Sequence, residues 1–323
     1  MSVFTDQTSR TDSPAATGPT ASGPSRWAAP ERPAWEEEPS KAGVAGKGIV
    51  LTLACFAILF PLWIVIVTSL SSKKTIDATG GLVMIPKDIT FVAYQELLSG
   101  GQVQRAALVS VGVTLIGTLF SMTVSVLSAY GLSRTGSLGH RWFLMLLLAT
   151  MFFGAGLIPT YLLVQGLGLT DSYLALILPS AVSVFNILVL RAFFMGISPE
   201  LIDSARIDGA GDWRILWKIV MPLSRAVLAV IALFYAVGYW SAWFNASIYL
   251  TDQDMMPLQN IMIQLVQKQE RPVGLATQIN TGQLSPLAVQ MAVMVLALVP
   301  VAVLSPFVQR HFKKGMLTGA VKG

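Results

Sequence analysis

Long runs without Asp, Glu, Lys or Arg divide this sequence into regular blocks. Six of them follow one another, at residues 48–72, 106–133, 142–170, 172–190, 226–251 and 272–309. Because a helix needs about 20 apolar residues to cross a bilayer, each run can hold one spanning helix. The last run begins with polar residues, so its helix is expected to start near Pro286, a residue that suits a first helical turn. The pattern predicts an all-α membrane protein with about six transmembrane helices.

The composition favours the same interpretation. Charged residues make up 12% of the 323 residues and hydrophobic residues 54%, whereas a soluble domain has about 25% charged residues. A soluble fold of this length exposes too much surface to water for so few charges. The net charge of +5 comes from scattered basic residues without a basic stripe, so a nucleic-acid partner is excluded.

The distribution of Lys and Arg predicts the orientation. With both termini in the cytoplasm, sixteen of the 22 Lys and Arg residues lie on the cytoplasmic side. Cytoplasmic loops are enriched in these residues, although Lys73 and Lys74 beside the first run oppose the rule. The N-terminal segment is rich in Ser, Thr, Pro, Ala and Gly and buries too little apolar surface to fold. The predicted segments are a disordered cytoplasmic tail at 1–47, a first transmembrane helix at 48–72, an extracellular loop at 73–105, a helical core at 106–309 and a cytoplasmic C-terminal tail at 310–323.

The cytoplasmic segment 198–222, between the fourth and fifth runs, carries explicit helix signals. Ser198 can cap a helix and Pro199 suits its first position. Gly209 is placed to end this helix in a left-handed turn. The segment therefore predicts a short helix followed by a sharp glycine bend.

A second short helix is expected after the bend. Asp212 can cap it, and Pro222 marks the start of the fifth span. Its predicted apolar stripe consists of Trp213, Leu216, Trp217 and Val220. An amphipathic linker lying on the membrane is the simpler alternative, but it has no need of several charges around one turn. Those charges, which suit docking into a cleft of a partner, are Asp203, Arg206, Asp208 and Asp212.

This segment resembles the EAA loop of binding-protein-dependent ABC importers. The family pattern is Glu-Ala-Ala, three residues, Gly, nine residues and Ile-x-Leu-Pro. The same spacing here joins Asp203-Ser204-Ala205, Gly209 and Ile219-Val220-Met221-Pro222. Asp203, Ser204 and Met221 depart from the pattern, and Asp keeps the charge of Glu on a shorter side chain. The ATPase-coupling loop implied by the resemblance comprises Asp203, Ser204, Ala205, Arg206, Asp208, Gly209, Ile219, Met221 and Pro222.

The resemblance covers about residues 50–320 and implies a type-1 ABC importer permease (MetI-like) fold, with residues 106–309 as the permease core. The run 205–210 resembles sugar-importer permeases. Residues 80–86, together with Trp243-Phe244-Asn245, resemble the maltose-type group and its second, shorter permease subunit. The implied function is a pore-forming subunit that imports a carbohydrate, and an oligosaccharide is the expected cargo.

Several partners are implied by the same resemblance. They are a homologous second permease subunit, two cytoplasmic ABC ATPase subunits, an extracellular solute-binding protein and the sugar substrate, in the bacterial cytoplasmic membrane. The chain is expected to bind no cofactor, with ATP and Mg on the ATPase subunits. It lacks a Gly-x4-Gly-Lys-Ser/Thr loop, and Cys55, His140 and His311 have no partners at catalytic or metal-ligand spacing. We therefore expect no enzyme activity and no metal site, and a buried thiol at Cys55.

Polar and aromatic residues inside the runs are candidates for the substrate path, because amides and aromatic faces suit sugar hydroxyls and rings. These are Tyr161, Gln165, Asn186, Tyr235, Tyr239 and Asn245. Trp240 and Trp243 lie near a predicted outer end and are expected in the interfacial aromatic belt. Two other functions stay open: a secondary transporter, which would need ionisable residues within the spans, and a non-transporting membrane scaffold subunit.

Overall fold

A computed structural model describes residues 40–99, 101–136, 139–267 and 284–319, without the side chains of 304, 305 and 307–319. The chain divides into two units, residues 1–56 and 57–323. Most of the predicted N-terminal tail and the last four residues of the C-terminal tail lie outside the described residues. The polar start of the sixth run lies outside them as well.

Helices account for nearly all regular structure in the described residues. In chain order they are α1 (Lys41–Ser69), α2 (Lys73–Ala78), α3 (Val92–Ser99), α4 (Gln102–Ser133), α5 (His140–Phe152), α6 (Leu157–Gly166), α7 (Tyr173–Ile177), α8 (Val184–Met195), α9 (Pro199–Ile207), α10 (Asp212–Ile215), α11 (Met221–Leu223), α12 (Arg225–Trp240), α13 (Trp243–Tyr249), α14 (Leu258–Gln267) and α15 (Pro286–Gly319). The predicted all-α class is confirmed, and the last helix begins at Pro286 as expected. The predicted extracellular loop 73–105 contains α2, α3 and the first turn of α4.

The membrane-spanning helices are of two kinds. Three are long and apolar enough to cross a bilayer unaided: α1, α4 and the Pro286–Val303 part of α15. Three pairs of shorter helices are long and apolar enough to cross a bilayer only when the two members of a pair are taken together. The bend is 114° between α5 and α6, 51° between Tyr173–Ser180 and α8, and 86° between Asp212–Leu223 and α12. The described residues thus provide six spans only if each bent pair counts as one.

The breaks have local causes. Between α5 and α6 the backbone passes through Gly156, whose φ of +85° is unsuited to a helix. Pro159 lies in the first turn of α6, where its missing N–H costs no intrahelical bond. In the fourth span Pro179 lies in the short 3-10 turn between α7 and α8.

The core of the second unit is built around α4, which packs against α8 and α12, while α12 also packs against α15. Small side chains on the buried face of α4 allow this close approach. Gly117, Ser121, Ser125 and Ala129 are buried there. These small residues therefore lie at the packed face of α4.

Two expectations about side-chain environment are wrong. Cys55 is exposed on α1, as are its neighbours Leu53 and Phe56. Trp240 is buried between helices and does not lie in an outer belt. Its indole N–H donates to the carbonyl oxygen of Ala297 in α15, at 2.9 Å.

Candidate functional site

The bend of the 198–222 loop is a complete C-terminal helix cap. Gly209 has a φ of +77°. Its N–H donates to the carbonyl of Arg206 at 3.0 Å, and the N–H of Ala210 donates to the carbonyl of Ala205 at 2.9 Å. These two bonds define a Schellman motif, which satisfies carbonyls left open at the end of α9. The predicted left-handed turn at Gly209 is confirmed.

The two predicted N-caps differ from expectation. Ser198 is the N-cap residue of α9, but its hydroxyl donates to the carboxylate of Glu200 and caps no helix N–H. Gly211 is the N-cap of α10, so the helix begins at Asp212 itself, one residue earlier than a cap at Asp212 would place it. As a first-turn residue, Asp212 still interacts favourably with the positive end of the helix.

The expected single apolar stripe on the second helix is wrong. Leu216 and Val220 are buried, whereas Trp213 and Trp217 are 66% and 61% exposed. Residues Leu216–Val220 form a π turn, which is wider than an α-turn and rotates the residues after it relative to those before it. One face therefore anchors the loop to the core, and the two indoles remain at the surface.

The predicted coupling-loop residues fall in two stretches of the 198–222 loop, at 203–209 and at 219–222. Asp203, Ser204, Arg206, Asp208 and Gly209 are exposed. The half-buried members are Ala205, Ile219, Met221 and Pro222. Ile207, which sequence reasoning did not select, is the most exposed apolar side chain of the loop at 86%. The segment thus presents charged groups and apolar side chains together on a surface with no covering element among the described residues.

Polar contacts tie this segment to the end of α4. The Tyr130 hydroxyl donates towards the backbone carbonyl of Asp212 at 3.2 Å and accepts from the Arg134 guanidinium at 2.7 Å. The carboxylate of Asp212 also pairs with Arg206 at 3.3 Å. Both partners of that pair are more than half exposed, so the pair stabilises the loop only slightly.

A cavity of about 400 Å³ lies between the fourth and fifth spans. Its lining consists of Ser180, Ser183, Asn186, Phe234, Tyr235, Gly238, Tyr239, Ser241, Ala242, Phe244 and Asn245. Four of the six substrate-path candidates, Asn186, Tyr235, Tyr239 and Asn245, therefore meet at one place. Their contact with a solute stays a prediction.

The other two candidates lie elsewhere. The ring of Tyr161 stacks on that of Tyr249, with centroids 6.1 Å apart and planes 8° apart. Gln165 is exposed on α6. Neither residue lines the cavity.

Sequence reasoning missed the accessible aromatic residues of the cavity. Phe234 and Phe244 are 49% and 47% exposed, whereas Tyr235 and Tyr239 are each 5% exposed. A phenylalanine within an apolar run carries no signal that separates a cavity position from a lipid-facing one. Ser180 and Ser183 lie at the break in the fourth span. Pro179 was a usable sequence signal for that break.

The chemistry of the cavity is uncharged. Hydroxyl, amide and aromatic groups line it, and no lining residue carries a charge. Such groups can hydrogen-bond the hydroxyls of a solute and stack on an apolar ring face. In the described part of the chain, no group of three or more His, Cys, Asp or Glu side chains is arranged to hold a metal ion.

The chain is similar to known transport proteins over most of its length. Residues 48–318 match the family described as "Binding-protein-dependent transport system inner membrane component". The polygalacturonan/rhamnogalacturonan transport system permease protein YtcP of Bacillus subtilis is 41% identical over 85% of this chain and 96% of its own length. Protein LplC of the same species is 38% identical over 74% of this chain and 81% of its own.

A solved structure has the same fold. It is a chain of a bacterial ABC transporter involved in the import of the acidic polysaccharide alginate, with a TM-score of 0.80 and 30% identity. The match covers 86% of this chain and 99% of the other. The expected type-1 ABC importer permease fold is thereby confirmed.

Proposed function

Because the chain belongs to the family of binding-protein-dependent transport system inner membrane components, we propose that it is the pore-forming permease subunit of an ABC importer. Members of this family are transport components of the membrane, so the chain is not an enzyme. In the proposed assembly ATP and Mg bind to partner ATPase subunits, and both termini of this chain lie in the cytoplasm. A reporter enzyme fused into the loop at Asp77 should be active only outside the cell; cytoplasmic activity would overturn the orientation.

The proposed cargo is an oligosaccharide. The uncharged cavity offers two accessible phenylalanine rings with amides and hydroxyls beside them, a combination that suits the mixed polar and apolar faces of sugar rings. YtcP is named for polygalacturonan and rhamnogalacturonan transport, and the structural relative for alginate import. A homologous second permease would complete the wall of the path, and an extracellular solute-binding protein would deliver the sugar.

The proposed coupling element runs from α9 through α10 to the π turn at Leu216–Val220. Its exposed apolar side chains, Ile207, Trp213 and Trp217, stand beside charges on the same bend. Apolar anchors ringed by polar groups are typical of docking surfaces. Each of the two permeases would insert such a bend into one ATPase subunit, so that ATP-driven closure of the ATPases moves the spans.

One observation carries this proposal: the Schellman turn at Gly209, which holds the exposed Ile207 at the tip of a bend anchored by buried Leu216 and Val220. Purification of the tagged chain in mild detergent should recover a second permease and an ABC ATPase. The ATPase should be absent when Gly209→Val is purified. A chain that purifies alone in a stable form would contradict the importer assignment.

Two other functions would give different results. A secondary transporter would move solute without ATPase partners, and it would need ionisable groups in its spans. The predicted runs contain no Asp, Glu, Lys or Arg. A non-transporting scaffold would retain its partners, but deletion of the gene would leave ATP-dependent sugar uptake unchanged.

A further inference from the structure

The break in the fourth span exposes backbone polar groups in the middle of a membrane protein. In an unbroken helix the N–H of Ala181 would bond to the carbonyl of Ile177, and the N–H of Ser183 to the carbonyl of Pro179. Here the N–H of Ala181 bonds to the carbonyl of Leu178 at 3.2 Å. Backbone groups that lose their helical partners within a membrane must find others, because each unsatisfied group costs several kcal/mol.

Two tyrosines of the fifth span supply those partners. The Tyr239 hydroxyl donates to the carbonyl of Ile177 at 3.1 Å, and the Tyr235 hydroxyl accepts from the N–H of Ser183 at 3.2 Å. A third side chain of this region contributes a longer contact, from the amide of Asn245 to the hydroxyl of Ser180 at 3.4 Å. The fifth span thus contacts both sides of the break.

Two serines of α4 hold the same phenols. The Ser121 hydroxyl lies 2.7 Å from the Tyr239 hydroxyl, and the Ser125 hydroxyl lies 2.6 Å from that of Tyr235. Since the single proton of the Tyr239 hydroxyl goes to the carbonyl of Ile177, Ser121 must be the donor to Tyr239. Each phenol is therefore engaged by two protein partners.

The low exposure of Tyr235 and Tyr239 also indicates that protein partners occupy their hydroxyls. Tyr235 and Tyr239 line the cavity, yet each is only 5% exposed. Hydroxyls that are buried and fully engaged are not free to bind a solute. What these residues control is the angle between the two halves of the fourth span, and this angle sets the shape of the cavity.

We propose that Tyr235 and Tyr239 are positioning residues of the transport path. Together with Ser121 and Ser125 they brace the broken fourth span against α4 and α12 and thereby shape the cavity. Solute contacts then come from the accessible Phe234 and Phe244 and from the neighbouring amides. This assignment rests on the proposed transport function.

The test uses the purified complex and a single reporter thiol. Cys55 is the only cysteine of the chain, so Cys55→Ser with Ser241→Cys places one thiol at the exposed rim of the cavity. The rate of its reaction with a charged methanethiosulfonate reagent, in the absence of sugar, measures access to the cavity. Loss of either phenol hydroxyl removes two buried hydrogen bonds, so this rate is expected to change at least about five-fold in Tyr235→Phe and in Tyr239→Phe.

Tyr173→Phe is the matched control. It makes the same chemical change in the fourth span, and the Tyr173 hydroxyl has no hydrogen-bond partner among the described residues. Its reaction rate should equal that of the parent. If the thiol reacted at the same rate in Tyr235→Phe, Tyr239→Phe and Tyr173→Phe, the proposed bracing role would be overturned.

Uptake measurements separate the brace from a direct solute contact. With a labelled galacturonate oligosaccharide as the probe, Tyr239→Phe should lower the maximal rate and leave KM unchanged, and Ser121→Ala should do the same. An increase in KM confined to the tyrosine variant would show a direct contact and overturn the proposal. If the parent complex fails to import the probe, the proposed cargo is wrong, while the thiol measurement still decides on the brace.

Discussion

The Tyr130 hydroxyl lies 3.2 Å from the backbone carbonyl oxygen of Asp212, so the end of α4 is bonded to the first residue of α10. The same α4 holds the phenols of Tyr235 and Tyr239 through Ser125 and Ser121. One helix, α4, therefore contacts both the proposed coupling element and the wall of the cavity. If the proposed coupling element moves with the ATPase subunits, α4 offers a direct mechanical route from it to the cavity.

Loss of the Tyr130 hydroxyl should weaken this route without weakening docking. In Tyr130→Phe the ring stays beneath the Arg134 guanidinium, which lies 4.6 Å from its centroid, but the bond to Asp212 is lost. We expect ATP hydrolysis to continue while the amount of sugar imported per ATP falls about three- to ten-fold, as for the loss of about 1 kcal/mol of coupling. Uptake and ATPase activity of the complex in proteoliposomes give the ratio.

Thr123→Val is the control for that variant. Thr123 is exposed on the same helix, and its hydroxyl bonds only to the carbonyl of Leu119 one turn earlier. Its ratio of sugar to ATP should match that of the parent. A Tyr130→Phe complex with the parent ratio would show that α4 receives the motion by another contact.

Gly209 is required for its backbone conformation and not for lack of space. A Cβ added there would meet nothing within 4 Å, but its φ is +77°. A β-branched residue is strongly disfavoured in this region, and even an unbranched one loses about 1–2 kcal/mol, whereas Asn is tolerated best. Gly209→Val should therefore abolish ATPase co-purification, and Gly209→Asn should retain most of it. Equal loss in both variants would mean that the partner, and not the turn, excludes a side chain.

The sequence was sufficient for features that depend on local chemistry. The apolar runs give the positions of the spans because the thickness of the bilayer sets their length. Gly209 and Pro286 could be placed because the end of one helix and the start of another have residue preferences. The cavity was partly found, since Asn186 and Asn245 are polar side chains within apolar runs.

Features that depend on distant partners could not be predicted. Leu216 is buried against the core while Trp213 is exposed, and helical periodicity reveals neither this difference nor the π turn at Leu216–Val220. The partners of Tyr239 lie 118 and 62 residues earlier in the chain, at Ser121 and Ile177. From sequence alone, a tyrosine that braces a broken helix looks the same as one that contacts a solute.

Asp171 links two predicted extracellular segments and should respond to pH. Its carboxylate accepts bonds from the backbone N–H groups of Thr251 and Asp252. The bond from Thr251 is the main cause that holds the pKa of Asp171 below its usual value. Because the folded-state pKa is lowered, the stabilisation is complete above the unfolded-state pKa of about 3.9 and is lost as the pH falls through the folded-state pKa.

Asp171→Asn tests how much the negative charge of the carboxylate contributes to this contact. Asn tolerates the positive φ of 54° at this position and keeps an acceptor oxygen, but a neutral acceptor is weaker. The Tm of the purified complex should be lower for the variant between pH 7 and about pH 5, with the difference shrinking below about pH 4. A difference that stays constant down to pH 3 would attribute the effect to geometry.

Gly117 and Gly112, both on α4, offer a second test of the bracing role of Tyr239. A Cβ at Gly117 would lie 2.9 Å from ring atoms of Tyr239, whereas a Cβ at Gly112 meets nothing within 4 Å. Tyr239 is held at its hydroxyl by Ser121 and Ile177, so its ring cannot move away freely. Gly117→Ala should therefore destabilise the complex by about 1–3 kcal/mol, as overpacking does in other cores.

Gly112→Ala should have the opposite sign. Alanine favours a helix over glycine by about 0.5–1 kcal/mol, and no contact at Gly112 opposes it. Thermal unfolding of the two purified variants measures both effects, and addition of Tyr239→Phe to Gly117→Ala should recover part of the loss because the freed ring can shift. If the two alanine variants were equally stable, the ring of Tyr239 would be free to move away from position 117. That result would contradict the proposed bracing role of Tyr239.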